Sequence, residues 1–297
     1  SEQQFQSEFE CDFLGSTNTL ISSSKLHCLN YITPNHNNND GLAIYEEPKE
    51  DHIYVITVDT ARGQGLDYSA FAVIDITESP YKLVARFRNN TIAPLVFPTA
   101  IKSVGDRYNN AFILVEINDI GAQVADILFQ DLEYENVLQA VYKGRAGQVI
   151  GSGFGSASSQ MGVRTTVPVK KLGCSVLKSL VENDKLIIED METIQELYTF
   201  VAKGQSFEAD EGHNDDLAMC LVLFGWLTRQ EYFKNITDLD IRKDIYQDEM
   251  QRIEDDLVPF GFINTIDEDE TSFFDGADTW KVTEESEQSD PFTDFFR

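Results

Sequence analysis

The sequence predicts a mixed α/β fold, a mixed β-sheet flanked by helices, with its first three strands antiparallel. Three observations predict it. The β-rich runs at 51–60, 68–77 and 81–90 are separated by turns too short to hold a crossover helix. Helix-like and strand-like segments then alternate from 94 to 143. A long apolar helix follows late in the chain, in "GHNDDLAMCLVLFGWL" (212–227).

Each element has a local reason. "DHIYVITVDT" (51–60) is rich in Val and Ile with little alternation, which suits a central strand buried on both faces. "ARGQGLD" turns the chain, "YSAFAVIDIT" (68–77) returns, and "YKLVARFRNN" (81–90) alternates with period two. A helix is expected over 94–108, with Pro98 near its start. "AFILVEI" (111–117) reads as a buried strand, 119–132 as a helix with Asp119 near its start, and "NVLQAVYK" (136–143) as a fifth strand. Residues 144–166 form a long Gly/Ser loop, and such loops are usually functional or disordered. A helix over 167–184 leads to a short strand, "KLIIED" (185–190). A helix over 191–204 is closed by Gly204, and "QSFEAD" (205–210) is expected to pair with "KLIIED" as a hairpin. The apolar helix spans 214–230, and an amphipathic surface helix 238–257. From 266 onward the chain is acidic and dotted with aromatics, the composition of a disordered or partner-binding tail.

Composition narrows the class. No run of apolar residues is long enough to span a bilayer, and the polar, acidic start is not a secretory signal. The four cysteines are scattered without a CxxC pair, which argues against a zinc site and for a reducing compartment. The net charge is −28. Residues 1–50 carry net −6 and residues 232–297 net −13, so the ends hold about two-thirds of the excess. No acid occurs between Glu135 and Glu182, where roughly eight would fall at the chain-wide frequency. Lys143, Arg145, Arg164, Lys170, Lys171 and Lys178 lie in that window. A local basic surface is what a polyanion requires, although a Gly/Ser loop without acids would read similarly.

Five carboxylates stand where chemistry could use them. Asp59 ends the first strand, as a site group or as the start of a turn. Asp67 opens the second strand across the same hairpin. Glu116 sits in a buried strand, where an unpartnered charge is costly. Asp215 and Asp216 open the apolar helix. They either complement its dipole behind an Asn214 cap or aim a carboxylate at a site, and at most one can face it squarely. Carboxylates gathered beside a sheet repel one another unless a cation neutralises them, and oxygen-only ligands select hard cations such as Mg²⁺ or Mn²⁺.

These residues carry a resemblance. "VDTARGQGLDYSAFAVIDI", "FILVEINDIGAQVADILFQDLEYENV" and "GHNDDLAMCLVLFGWL" resemble the nuclease domain of the large terminase subunit of myovirus-type tailed bacteriophages, in the ribonuclease H-like superfamily. "QSEFECDFLGSTNTLIS" (6–22) is similar to the segment that joins the packaging ATPase to that domain, and the resemblance covers about residues 5–265. It implies a ribonuclease H-like mixed sheet and a metal-dependent endonuclease. That enzyme cuts concatemeric viral double-stranded DNA at initiation and termination of head filling, by two-metal-ion phosphodiester hydrolysis. Carried over by motif, Asp59, Glu116 and Asp215 are the metal-binding triad. Asp67 is close by, Asp216 supports, and His213 stands behind them as a supporting group. The implied cofactor is a pair of Mg²⁺ or Mn²⁺ ions, and the basic window 143–178 would line a DNA groove. The implied partners are the packaging ATPase domain of the full-length chain, the portal protein and the small terminase subunit, without a membrane. The implied location is the host cytoplasm during assembly. The division expected is a linker from the ATPase domain at 1–17, the nuclease domain at 18–265 and the acidic tail at 266–297. No GxxxxGK[ST] occurs, so no ATPase motif is present in this chain.

Three other readings compete. An actin-like phosphotransferase also opens with such a hairpin, but it needs two copies of the core and only one is present. The acidic, Phe-rich end suits a non-catalytic docking module. A junction-resolvase-like nuclease would share the carboxylates and differ in substrate.

Overall fold

The computed structural model describes residues 18–237, apart from 39, 66, 143–146, 152–158 and 205, and the short strands at 272–274 and 279–281. Two compact units divide the chain, Ser1–Ile245 and Tyr246–Arg297.

The first unit opens with helix α1 (Ser23–His27) and two short strands, β1 (His36–Asn37) and β2 (Leu42–Ile44). The predicted hairpins follow as β3 (Tyr54–Asp59), β4 (Ser69–Asp75) and β5 (Tyr81–Asn89), antiparallel in succession. Helix α2 (Phe97–Arg107) crosses to β6 (Phe112–Val115), which pairs with β3 in parallel. The main sheet runs β1-β2-β5-β4-β3-β6. Asp119 does not cap the next helix: it lies at φ +51°, and α3 starts two residues later (Gly121–Asp126), continuing as a π-helical turn over Ile127–Asp131.

Four expectations change. The predicted fifth strand, β7 (Gln139–Tyr142), meets the main sheet only through a bridge between Ile113 and Val137. It instead centres a three-stranded sheet with β8 (Gln148–Ile150) and β9 (Ser159–Met161), so 144–166 is not one structureless loop. Its Gly and Ser residues hid two strands too short to show a period. Helix α4 (Val167–Glu182) follows, and β10 (Leu186–Ile187) lies parallel to β5 rather than in a hairpin. Helix α5 (Met191–Thr199) stops early, because buried Phe200 and Val201 begin a strand, β11 (Phe200–Lys203). Gly204, at φ +63°, turns that strand into β12 (Ser206–Ala209), its true partner. The rings of Phe200 and Phe207 stack 6.1 Å apart across the hairpin.

Helix α6 (Asp216–Leu227) is buried at every position, which explains why its apolar residues show no stripe. It packs with α4 and α5 on one face of the sheet, against Val55, Ala70, Ala72 and Leu114. On the other face α2 and α3 cover Ile56, Val58, Phe71, Ile113 and Val115. The 238–257 helix predicted from sequence lies outside the described residues. In the second unit, β13 (Ser272–Phe274) and β14 (Thr279–Lys281) form an antiparallel pair within the segment expected to be a disordered tail.

Helices α4 and α6 cross at two glycines. A Cβ at Gly173 would lie 2.4 Å from the Val222 carbonyl oxygen, and one at Gly225 would lie 2.6 Å from the Gly173 carbonyl oxygen. Helix propensity alone favours Ala over Gly by about 1 kcal/mol. Here backbone blocks the added methyl, so Gly225→Ala should destabilise by about 1–3 kcal/mol, the usual cost of overpacking. Urea denaturation of the variant checks this; a midpoint at or above the wild-type value would refute it.

Candidate active site

The site forms where β3, β6 and the start of α6 meet. The last register pair of the parallel ladder is Val58 with Val115, so Asp59 and Glu116 stand side by side one residue further on. The Glu116 amide donates to the Val58 carbonyl at 2.9 Å, which fixes that alignment. Val55 and Leu114 point toward α6. By the two-residue strand period, Asp59 and Glu116 point the same way.

The two carboxyl groups stand close enough to act on each other electrostatically. Burial, then Glu116, then the charges of Asp216 and Asp215, hold the Asp59 carboxyl well above the usual range. Glu116 is buried, and Oε1 accepts a hydrogen bond from Asn118 Nδ2 at 2.8 Å. The start of α3 presses on this corner. A Cβ at Gly121 would sit 1.7 Å from the Glu116 carbonyl oxygen and 2.8 Å from Thr60 Oγ1, so only glycine fits.

Neither aspartate of α6 acts as a helix cap through its side chain. Asp215, not Asn214, is the N-cap residue, and its carboxylate makes no capping bond. Instead Glu196, on α5, reaches across. Its Oε2 accepts from the amides of Leu217 and Ala218 at 2.7 and 3.0 Å. Two of the helix's free N–H groups are thereby satisfied from another element, which frees both aspartates for other work.

The two lean differently. Asp215 Oδ2 accepts from the Ala209 amide at 3.3 Å, and Lys170 favours its anion; burial still raises its pKa. Asp216 is buried and raised to about 6. Burial drives the rise, opposed by Arg88 and the Tyr68 backbone and reinforced by Asp215 and Asp67. Asp216 acts on Asp59 more strongly than Asp215 does. Asp216 Oδ2 is buried without a hydrogen-bond partner, its nearest cation being Arg88 Nη2 at 3.9 Å.

Arg88 is the internal cation of this region. Its guanidinium lies 3.8 Å over the Tyr68 ring, 3.2 Å from Glu196 Oε1 and 3.5 Å from Glu192 Oε2. The contact with Glu196 is an ion pair by distance without hydrogen-bond geometry, so Oε1 also stays unpaired. Burial raises Glu196 to about 8 against the opposing effects of the Ala218 amide and Arg88. His213 is exposed and lines a polar cleft of 150 Å³ with Arg88, Glu192 and Glu196. Asp67 is exposed, and its charge acts on Asp216.

The basic residues separate. Lys170, in the first turn of α4, is half-buried, with Nζ 5.8 Å from the Phe200 ring. Lys171 and Lys178 are exposed and, seven residues apart, share a face of α4. Arg164 is exposed beside β8 and β9, where it lines a 370 Å³ cavity with Tyr142, Gln148 and Gln160. Lys143 and Arg145 lie outside the described residues.

Sequence reading missed Glu196, Arg88 and Gly121. The first two left signals. Glu196 falls among the inward positions Thr193, Ile194 and Leu197 of α5, and half-buried Arg88 stands two residues after buried Arg86 on the same strand face. Gly121 left none, because its requirement is a contact with a residue five positions back.

Residues 56–224 match the terminase RNase H-like domain family. The chain belongs to that family. The matched span begins in β3 and ends in α6, so it contains every carboxylate described above. Among solved structures, the large terminase nuclease of thermophilic phage G20c with bound magnesium is 20% identical and has a TM-score of 0.54, covering 73% of this chain and 100% of its own. Its cobalt-bound form gives 21% and 0.53. The large terminase nuclease domain of Thermus phage P74-26 is 21% identical with a TM-score of 0.50, covering 69% of this chain and 93% of its own. At such identities the likeness establishes the fold, a ribonuclease H-like mixed sheet flanked by helices.

Among the described residues no group of three His, Cys, Asp or Glu side chains is spaced to enclose a metal ion. The donor chemistry nonetheless fits a hard cation. Asp59 and Glu116 stand side by side on neighbouring strands, and Asp216 Oδ2 is a buried acceptor without a hydrogen-bond partner whose charge acts on Asp59. Oxygen donors whose proton affinity is raised by burial and by neighbouring carboxylates are what a divalent ion would relieve.

The raised Glu196 pKa has a sign that can be tested. A carboxyl that binds its proton more tightly when folded contributes stability below its unfolded pKa and loses it as pH rises through the folded one. Chelated wild-type protein should therefore lose stability between about pH 5 and about pH 8, and Glu196→Gln should gain on it across that window. Glu196→Ala strands the Leu217 and Ala218 amides and should cost about 1–3 kcal/mol at any pH. Thermal melts of the three proteins at several pH values decide; parallel curves for wild type and Glu196→Gln would contradict the assignment.

Proposed function

We propose that this chain is the nuclease of a viral DNA-packaging terminase, a metal-dependent endodeoxyribonuclease that cuts concatemeric double-stranded DNA at initiation and termination of head filling. The observation that carries the reading is the convergence of Asp59 and Glu116, on neighbouring parallel strands, with the start of α6. Family membership supports it independently.

Asp59 and Glu116 would hold the ions, with Asp215 and Asp216 supplied by α6. Sequence reasoning ranked Asp215 first; we rank Asp216 first, a reading supported by its buried Oδ2, which has no hydrogen-bond partner. Two Mg²⁺ or Mn²⁺ ions, when bound, supply Lewis acidity and a nucleophilic water at neutral pH. The residues of this chain do the rest. Asp59 and Glu116 would present four carboxylate oxygens from the ends of two neighbouring strands. Glu196 and Arg88 keep the α6 start from relaxing away from the sheet. Lys170, Lys171, Lys178 and Arg164, with Lys143 and Arg145, would neutralise duplex phosphates beside the site. The packaging ATPase domain, the portal and the small terminase subunit would be its partners in the host cytoplasm.

Plasmid nicking and linearisation should require Mg²⁺ or Mn²⁺, stop with EDTA, and fall at least about a hundredfold in Asp59→Asn and Glu116→Gln. Asp216→Asn should lose more than Asp215→Asn, and the reverse order would restore Asp215 as the principal ligand. Metal-independent cutting, or wild-type rates in both strand variants, would end the nuclease reading.

Binding can be read without turnover. Mg²⁺ or Mn²⁺ should raise the melting temperature of the wild type by mass action on the folded state, and the shift should vanish in Asp59→Asn/Glu116→Gln. An equal shift in that double variant would place the ions elsewhere.

A further inference from the structure

The turns that follow the two carboxylate strands are tied to each other. Arg62, three residues beyond Asp59, donates from Nε and Nη2 to the two carboxylate oxygens of Asp119, three residues beyond Glu116, at 2.6 and 2.7 Å. Both bases are tied by hydrogen bonds. The Ala61 amide donates to Ser69 Oγ at 3.1 Å, and that hydroxyl donates back to the Ala61 carbonyl at 3.2 Å. Asn118, next to Asp119, is held by Glu116. Yet both partners are open to solvent, with side chains 61% and 55% exposed.

A bidentate fork left exposed at the mouth of a site is a poor strut, because surface ion pairs contribute little to stability. The same fork matches a phosphate as well as a carboxylate. We infer that Arg62 is a phosphate-binding residue for the DNA backbone, parked on Asp119 in the free protein and exchanged onto the substrate when the duplex is seated. The inference rests on the nuclease reading and deepens it. It places a cation of the substrate site on the β3–β4 turn, away from the acid-free window that sequence analysis singled out. Asp119 competes with the substrate for Arg62 and so acts as a restraint on binding.

The fold provides a matched control. Arg107 Nη2 and Glu47 Oε2 form an exposed ion pair at 2.5 Å, with side chains 44% and 55% exposed. Arg107 ends α2 and Glu47 precedes β3, so this pair lies toward the opposite end of β3 from Asp59. A six-residue strand spans about 20 Å, well beyond the screening length of physiological salt.

The experiment measures duplex binding in a catalytically silent background, Asp59→Asn, across a salt series, and cleavage in the otherwise wild-type chain. Arg62→Ala should weaken binding at least about fivefold and lower the salt slope by about one. Asp119→Asn should tighten binding, and the gain should disappear when Arg62→Ala is added. Arg107→Ala and Glu47→Gln should each stay within about twofold of the parent. The inference is overturned if Arg62→Ala matches Arg107→Ala, or if Asp119→Asn tightens binding equally with and without Arg62. Failure of the parent to bind duplex, and of the wild type to cut it, would instead remove the nuclease reading on which the inference stands.

Discussion

Repulsion among carboxylates is the constraint on which this structure depends. Asp59 and Glu116 arrive together because β3 and β6 are parallel neighbours in fixed register. Asp216 joins them because α6 is seated on the same face of the sheet. Burial first, and then the neighbouring carboxylates, raise the pKa values of Asp59 and Asp216, so without a cation these groups favour holding protons. The surrounding fold must therefore over-determine their positions, as strained functional sites generally require.

Several features serve that end. Glu196 takes over the capping of α6, so its opening aspartates need not spend their oxygens on the helix's own amides. Arg88 balances Glu196, Glu192 and Asp216 with one charge, and Tyr68 beneath it limits its movement. Glycines permit approaches that no side chain would allow, at Gly121 against Glu116 and at the crossing of α4 with α6. A buried ion network of this kind is weak evidence for stability and better evidence for a geometry that must be kept.

The neighbouring network around Arg86 makes a useful contrast. Asp190 caps α5 by accepting from the Thr193 amide and hydroxyl at 2.7 and 2.6 Å, while Tyr45 and Arg86 also donate to it. Arg86 further bonds the Gly41 carbonyl at 3.0 Å and pairs with Glu192. Asp190 is thus a carboxylate in an ordinary structural role. In the carboxylate site, by comparison, buried Asp216 Oδ2 and Glu196 Oε1 have no hydrogen-bond partner. The unpaired acceptors leave Asp216 and Glu196 with bonding capacity that Asp190 has already used.

Sequence alone determined the hairpins β3–β4–β5, the strand bearing Glu116, the apolar helix and the pairing of Asp59 with Glu116 as candidates. The elements depend on local periodicity and composition, which a linear chain displays; the Asp59–Glu116 pairing also drew on the family resemblance. It also placed a cationic window around α4, because an absence of acids is visible without coordinates. It could not tell whether Asp215 and Asp216 cap their own helix, since the answer lies in Glu196, some twenty residues earlier on another helix. It mistook β11 for the end of α5 and hid β8 and β9 in a loop, because strands of three or four residues carry too little pattern. Tertiary structure alone decided which charges face one another, because Coulomb energy and desolvation depend on distance and burial that the order of residues does not contain.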